Sequence, residues 1–240
     1  MTAFTGINNN GDQKIDISGL IGQTFNTVVM YGGNDTVNGS GVIDYIVGGY
    51  GNDLLKGNGG NDYLNGETGN DSLYGGTGKD SLYGGVGDDL LNGEAHLDYL
   101  YGGAGNDTYV HDLTSGNDII NDNVTVTGTI GTVGIGGGTS DVLKFSGLSI
   151  SFNGFLSANS IVASYSVANK VNLYVSSYSD LSDNRVVDDG VMIQNYYQGG
   201  NYVIERIAGS DGIPYLLNAQ VIPFFGMQHR HHEYRNCLKQ

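Results

Sequence analysis

Residues 48–76 read GGYGNDLLKGNGGNDYLNGETGNDSLYGG, and their glycines and aspartates recur with a period that suits neither a helix nor an ordinary hairpin. Aspartates stand at 35, 44, 53, 62, 71, 80, 89, 98 and 107, nine in unbroken steps of nine. Two residues after each comes Val37, Ile46, Leu55, Leu64, Leu73, Leu82, Leu91, Leu100 or Tyr109. Two residues before each comes a glycine, except at Val42 and His96. The phase weakens at both ends. Asn26 and Val28 keep it upstream without a carboxylate, and Asp118 follows Asp107 by eleven residues, with Ile120 again two later.

A nine-residue unit with one apolar side chain buries nothing alone, so units must stack. The Gly-Gly-x-Gly-x-Asp half needs positive φ and close backbone approach, which a residue without Cβ permits. The x-apolar-x half is a three-residue strand with one side chain inward. Two units, eighteen residues, make one flattened coil. The unit resembles the nonapeptide of the RTX (haemolysin-type) calcium-binding proteins, closely over 48–110 and more loosely over 30–47. The resemblance implies an all-β fold, a parallel β-roll with Ca²⁺ ions held in the turns between coils.

Charge supplies an independent reason for a metal. Equivalent aspartates one coil apart stack at about 4.8 Å. They form two ladders, Asp35, Asp53, Asp71, Asp89 and Asp107, and Asp44, Asp62, Asp80 and Asp98. Each neighbouring pair repels by about 1 kcal/mol in water and about 3 kcal/mol at an effective dielectric near 20. Summed over both ladders that is ~6 to 20 kcal/mol, comparable with the ~5 to 15 kcal/mol stability of a domain. Turn propensity explains aspartate in loops, but not nine in phase. Carboxylates with backbone carbonyls make a hard-oxygen set that favours Ca²⁺ over Zn²⁺.

By resemblance, each ion lies between the second, fourth and sixth positions of one turn and the first, third and sixth positions one coil later. Carried over, Gly49, Gly51 and Asp53 face Gly66, Thr68 and Asp71, while Asn58, Gly60 and Asp62 face Gly75, Thr77 and Asp80. Glu67, Gly69 and Asp71 face Gly84, Val86 and Asp89, and Gly76, Gly78 and Asp80 face Gly93, Ala95 and Asp98. Gly85, Gly87 and Asp89 face Gly102, Ala104 and Asp107. The outer pairs are Asp35 with Asp53 and Asp44 with Asp62, where Tyr31, Ser40 and Val42 replace turn residues. Asp12 lies outside the phase of either ladder.

The rest of the chain divides by texture. Residues 1–29 read as an N-terminal cap with degenerate first coils, 30–122 as the roll, and 123–140 as an uncharged Gly/Thr-rich connection. Alternating apolar runs such as DVLKF, IVASYSV and GVMIQNYY make 141–222 a β-rich C-terminal capping domain. Part of it is similar to the segment that follows the repeats in many haemolysin-type proteins. Residues 223–240 hold His229, His231, His232 and Cys237 and read as an unstructured tail rather than a metal site.

Composition narrows the function. Twenty-five acidic residues face ten Lys and Arg, which argues against nucleic acid and for cations or a soluble secreted protein. No run approaches the ~18 apolar residues of a membrane span. A single cysteine allows no internal disulfide, the N-terminus shows no secretory signal, and no local catalytic motif occurs. GTGKDS at 76–81 imitates a phosphate loop, but Asp80 stands where Ser or Thr must follow Lys. The expectation is a secreted calcium-binding module without catalysis of its own. The alternative is a polysaccharide-binding or adhesive module, such as the accessory module of a secreted carbohydrate-active enzyme, drawn from the outward tyrosines Tyr45, Tyr63 and Tyr99, with Tyr74, Tyr83 and Tyr101 on the other flank.

Overall fold

Glycine turns alternating with single inward apolar residues leave room only for short strands, and that is how the computed structural model builds the chain. It describes residues 2–5, 11–20, 24–112 and 115–121, together with strands at 126–128, 131–133, 142–145, 161–165, 173–177, 190–193, 206–208 and 214–216. No helix occurs among the described residues. Strands are numbered in chain order. One sheet is built by β1 (Thr2–Thr5), β3 (Phe25–Val29), β5 (Ile43–Tyr50), β7 (Tyr63–Thr68), β9 (Ser81–Val86), β11 (Tyr99–Ala104) and β13 (Asn117–Ile120). The facing sheet is built by β2 (Lys14–Asp16), β4 (Thr36–Asn38), β6 (Leu54–Gly59), β8 (Ser72–Thr77), β10 (Leu90–Ala95) and β12 (Thr108–His111). Successive strands alternate between sheets and pair in parallel with the strand one coil away. This is a parallel β-solenoid of about six turns, in keeping with an RTX β-roll.

The register stacks identical positions, so the core is two columns. Val28, Ile46, Leu64, Leu82, Leu100 and Ile120 line one sheet; Val37, Leu55, Leu73, Leu91 and Tyr109 line the other. None of them is more than 1% exposed. Each buried aliphatic side chain contributes about 1.5–3 kcal/mol at most. A core one residue wide per strand therefore depends on coil repetition for stability.

The fifth position of the repeat adds a column of backbone capping. Oδ1 of Asn34 accepts the N–H of Asn52, Asn52 that of Asn70, Asn70 that of Asp88, and Asp88 that of Asn106, at 2.8 to 3.0 Å. Asp12 starts the column, accepting the N–H of Asn34 at 2.7 Å. Although Asp12 is out of phase, the first coil is longer, with 22 residues separating the bonded pair. At the other end β11 and β13 pair Leu100 with Ile120, so the loop absorbs the slip after Asp107 and Ile120 stays inward.

Past Asn121 the sheets continue. β16 (Val142–Phe145) pairs in parallel with β12, and β20 (Arg206–Ala208) with β16, before β21 (Pro214–Leu216) closes that sheet antiparallel. On the other sheet β19 (Gly190–Ile193) pairs in parallel with β13, followed by antiparallel β18 (Leu173–Ser177) and β17 (Ile161–Tyr165). Strands of the C-terminal segment thus lengthen the two sheets of the roll. The antiparallel hairpin β14 (Val126–Gly128) and β15 (Gly131–Val133) lies in the Gly/Thr-rich tract, with β14 against β7. The tail at 223–240, including His229, His231, His232 and Cys237, lies outside the described residues.

Where a turn needs its glycine, the backbone leaves no alternative. At Gly78, φ is +138° and a Cβ would overlap the carbonyl oxygen of Gly60 on the previous coil. Gly41, by contrast, has open space around it. Gly78→Ala is expected to cost about 2 kcal/mol or more and Gly41→Ala less than about 0.5 kcal/mol, measured by denaturant unfolding with calcium present. Equal midpoints for the two variants would mean that the turns have slack the geometry does not show.

Candidate metal centre

All nine in-phase aspartates sit at the turns, and none is more than 3% exposed. The parallel register sets Asp35, Asp53, Asp71, Asp89 and Asp107 along one edge and Asp44, Asp62, Asp80 and Asp98 along the other. Within each ladder the backbone N–H of one aspartate donates to Oδ1 of the next. The distance is 2.7 Å from Asp35 to Asp53, from Asp44 to Asp62, from Asp53 to Asp71 and from Asp62 to Asp80. It is 2.8 Å for Asp71 to Asp89 and Asp80 to Asp98, and 2.9 Å for Asp89 to Asp107. One oxygen of each carboxylate is therefore spent on holding adjacent coils together.

The other oxygen has no such role. Oδ2 of Asp35, Asp53, Asp62, Asp71, Asp80, Asp89 and Asp98 is buried without a hydrogen-bond donor. A buried polar atom without a donor costs about 1–3 kcal/mol, more when charged, and native folds tolerate only a few per hundred residues. Seven aligned at one repeat position indicate a common missing partner, and a row of anionic oxygens asks for a cation.

The surroundings of Oδ2 are oxygen-rich and tightly shaped. A Cβ at Gly75 would lie 2.5 Å from Oδ2 of Asp80 and 2.7 Å from the carbonyl oxygen of Gly93 on the next coil. The same arrangement joins Gly48 with Asp53 and the Gly66 carbonyl, and Gly57 with Asp62 and the Gly75 carbonyl. It recurs for Gly66 with Asp71 and the Gly84 carbonyl, and for Gly84 with Asp89 and the Gly102 carbonyl. Second-position carbonyls approach the following coil as well, Asn58 against Gly76, Glu67 against Gly85 and Gly85 against Gly103. Fourth-position carbonyls do likewise, Gly51 against Gly69, Gly60 against Gly78 and Gly69 against Gly87.

The third-position carbonyls carry hydrogen bonds between coils. Those of Thr68, Thr77, Val86 and Ala104 accept the N–H of Gly51, Gly60, Gly69 and Gly87 at 2.8 to 2.9 Å. Ala95 is more loosely held, accepting Gly78 N–H at 3.3 Å, because His96 Nδ1 shares that donor at 3.2 Å. A carbonyl has two lone pairs, so one bond leaves each of these oxygens a second acceptor direction.

Among the described residues, four hold left-handed turn geometry without being glycine: Asn58 and Glu67 at φ +73°, Glu94 at +69° and His96 at +89°. Each costs about 1–3 kcal/mol, and the strain sits on the same turns as the carboxylates. Among the described residues no three Asp, Glu, His or Cys side chains converge. That leaves pairs of carboxylates with backbone oxygens, a donor set suited to Ca²⁺ and unlike the nitrogen and sulfur sets of zinc.

With no ion between the coils, burial raises the carboxylates above their ordinary range. It pushes Asp53, Asp62 and Asp98 up to about 8, Asp89 to about 9, Asp71 to about 7 and Asp80 to about 6, each tempered by the N–H of the preceding aspartate. Neighbouring aspartates raise Asp53, Asp62, Asp89 and Asp98 further. His96 draws Asp80 back down.

Asp44 is held differently from the rest. Its Oδ2 accepts the Ser40 N–H at 2.6 Å and the Ser40 hydroxyl at 3.0 Å, and its Oδ1 accepts Asn26 Nδ2 at 2.6 Å. At the far end of that ladder, Oδ1 of Asp118 accepts Asp98 N–H at 3.1 Å, and its Oδ2 meets buried His111 Nδ1 at 2.9 Å. Sequence spacing hinted at Asn26 and Asp118. Nothing in the pattern distinguished His111.

Tyr45, Tyr63, Tyr83 and Tyr101 form one stack drawn from both flank rows, while Tyr74 lies on the facing sheet in β8, under Lys56. Tyr45 and Tyr63 stack at 4.7 Å and 6°, Tyr63 and Tyr83 meet tilted at 5.0 Å, and Tyr83 and Tyr101 stack at 4.5 Å and 9°. Tyr99 stands apart, 37% exposed. Burial pushes the phenol of Tyr83 up to about 12 and raises those of Tyr63 and Tyr101. Val47 and Asn65, on the same outer face, are closed from solvent, as is Glu67 on β7, the strand that β14 lies against.

Residues 39–73 and 74–109 each match the family model of the RTX calcium-binding nonapeptide repeat, which spans four copies. A search of curated proteins found no match to the chain. The matched segment contains every aspartate of both ladders except Asp35.

A pH dependence follows from the raised carboxylates. A group whose pKa is higher in the folded than in the unfolded state stabilises the fold fully below the unfolded value, near 4, and loses that contribution as pH rises through the folded value. With chelator present, the roll should keep more β circular dichroism at pH 5 than at pH 9, the loss running across about pH 6 to 9. The opposite order would mean that the buried aspartates are not protonated in the metal-free roll.

Proposed function

We propose that this chain is the calcium-loaded, non-catalytic module of a secreted protein, folding outside the cell when Ca²⁺ enters between its coils. The RTX repeats at 39–109 imply a Ca²⁺-binding β-roll. The observation that carries the rest is the row of seven buried Oδ2 atoms without donors, those of Asp53, Asp62, Asp71, Asp80 and Asp89 beside a backbone carbonyl of the next coil. Bound calcium supplies two positive charges to a shell of six to eight oxygens at the point where like charges would otherwise repel. The protein's part is to aim Oδ2 into the gap, keep Oδ1 on the neighbouring N–H, and keep bulk out with glycine.

Export is consistent with this scheme. Between 35 and 107 the chain carries ten Asp and two Glu against Lys56 and Lys79, a net charge of −10 of the chain's −15. Calcium modules outside cells work at ~0.1 to 1 mM ion, far above resting cytosolic levels, so a chain of this kind would stay extended before export. Because the sites exist only in stacked coils, binding free energy becomes folding free energy. The module would then stabilise its protein after secretion.

The tyrosines are assigned to packing in this reading. Sugar rings stack on open aromatic faces, and rings 4.5 to 5.0 Å from one another present mainly their edges.

Chelated protein should show coil-like circular dichroism and an expanded radius at pH 7.5. Millimolar Ca²⁺ should give a cooperative β signal with compaction, and millimolar Mg²⁺ should not, since Mg²⁺ dehydrates reluctantly and demands a tight octahedron. A compact, β-rich chelated sample at that pH would end this reading.

A further inference from the structure

The two ladders are not equivalent at their ends, and the difference lies in what satisfies each carboxylate. In the interior, Oδ2 of Asp62, Asp80 and Asp98 has no protein donor. At Asp44 both oxygens are taken, Oδ2 by the Ser40 N–H and hydroxyl and Oδ1 by Asn26 Nδ2, with the Ser40 hydroxyl also within reach of Oδ1 at 3.1 Å. We infer that Asp44 is not a calcium ligand: Ser40 takes the place of the ion between the Asp44 and Asp62 coils, and Asn26 plugs the same carboxylate from the coil before.

The geometry of the plug supports this. Ser40 occupies the second repeat position, where Gly49, Gly76 and Gly85 adopt φ of +107°, +110° and +119°. Ser40 is not among the residues with positive φ, so its backbone turns its N–H onto Asp44. Asn26 stands one coil earlier, in the aspartate phase, and places an amide where a second carboxylate would stand. It also donates to Ser40 Oγ at 2.9 Å, tying the group together. Both are buried. Asp44, already carrying three donors, has few lone pairs left to offer a cation, and Asp62 alone supplies too little charge to hold one there.

The C-terminal ends show the same device with other residues. His111 is buried and its imidazole donates to Asp118, the last carboxylate of the Asp44 ladder. Tyr109 takes the inward position filled by leucine in the preceding coils, and its hydroxyl accepts Gly102 N–H at 2.8 Å beside Asp107. Protein donors therefore bound the metal-bearing stretch, leaving four inter-coil gaps from Asp35 to Asp107 and two from Asp62 to Asp98. This rests on the calcium reading above.

Native mass spectrometry and calcium titration would count ions in wild type, Asp44→Asn and Asp71→Asn, with folding checked by circular dichroism. Asp44→Asn should bind as many ions as wild type, whereas Asp71→Asn, shared by two gaps, should lose at least one. One ion fewer in Asp44→Asn overturns the plug. If Asp44→Asn does not fold, the variant Asn26→Asp with Ser40→Gly restores the repeat pattern around Asp44. It should gain one ion, and an unchanged count overturns the inference. A wild type that binds no calcium would instead defeat the calcium reading itself.

Discussion

Carboxylates held in line and stripped of water are the constraint on which this structure depends. A buried charge is tolerated only when paired, and here each aspartate has just one oxygen paired by the chain through most of the roll. The same side chain does two opposed things. Oδ1 fixes the distance between coils by taking a backbone N–H, and in doing so brings the next like charge close. The hydrogen bond that sets the register thus creates the repulsion that an ion must relieve. Core burial does not offset it, since each strand contributes a single inward side chain.

Glycine follows from this constraint. The turn must pass close enough for carbonyls of one coil to reach the next, and Gly66, Gly75 and Gly84 leave room for Oδ2 where a Cβ would sit. Asn58, Glu67 and Glu94 show that the left-handed turn position can be filled by other residues at a cost in strain. At Gly48, Gly57, Gly66, Gly75 and Gly84 the first position has no such slack, because the competing atoms are a carboxylate oxygen and a backbone carbonyl; only the Asp35 turn carries another residue there, Met30.

Much of the roll was legible because its physics is periodic. A nine-residue step with one aspartate and one apolar residue fixes coil length, the two core columns and both ladders, and the structure places Leu55 on Leu73 and Leu64 on Leu82 as that step requires. What could not be read is aperiodic. Asp12 joins the fifth-position column only because the first coil is longer by a few residues, which spacing alone assigned to no ladder. His111 belongs to no repeat position, and its pairing with Asp118 depends on a loop whose length breaks the phase. The tyrosines were visible as two flanks, but the diagonal contact of Tyr63 with Tyr83 joins part of each, because neighbouring outward columns on one sheet are within ring reach, while Tyr74 belongs to the facing sheet.

A perfect repeat would also have no reason to stop. Every interior coil presents the same N–H, Oδ1 and carbonyls on both sides, so an unaltered terminal coil would offer an incomplete ion site and an open strand edge. The departures from the repeat fall where those two defects would lie. Asn26 and Ser40 supply donors at one end of the Asp44 ladder and His111 a polar group at its other end, while Tyr109 stands beside Asp107 at the end of the second ladder. Beyond them the pairing changes from parallel to antiparallel at β18 and β21, which a further parallel coil cannot simply extend. Residues that look like decay of the motif are thus the ones that make a finite object of it, and they do so with hydrogen-bond donors that need no ion.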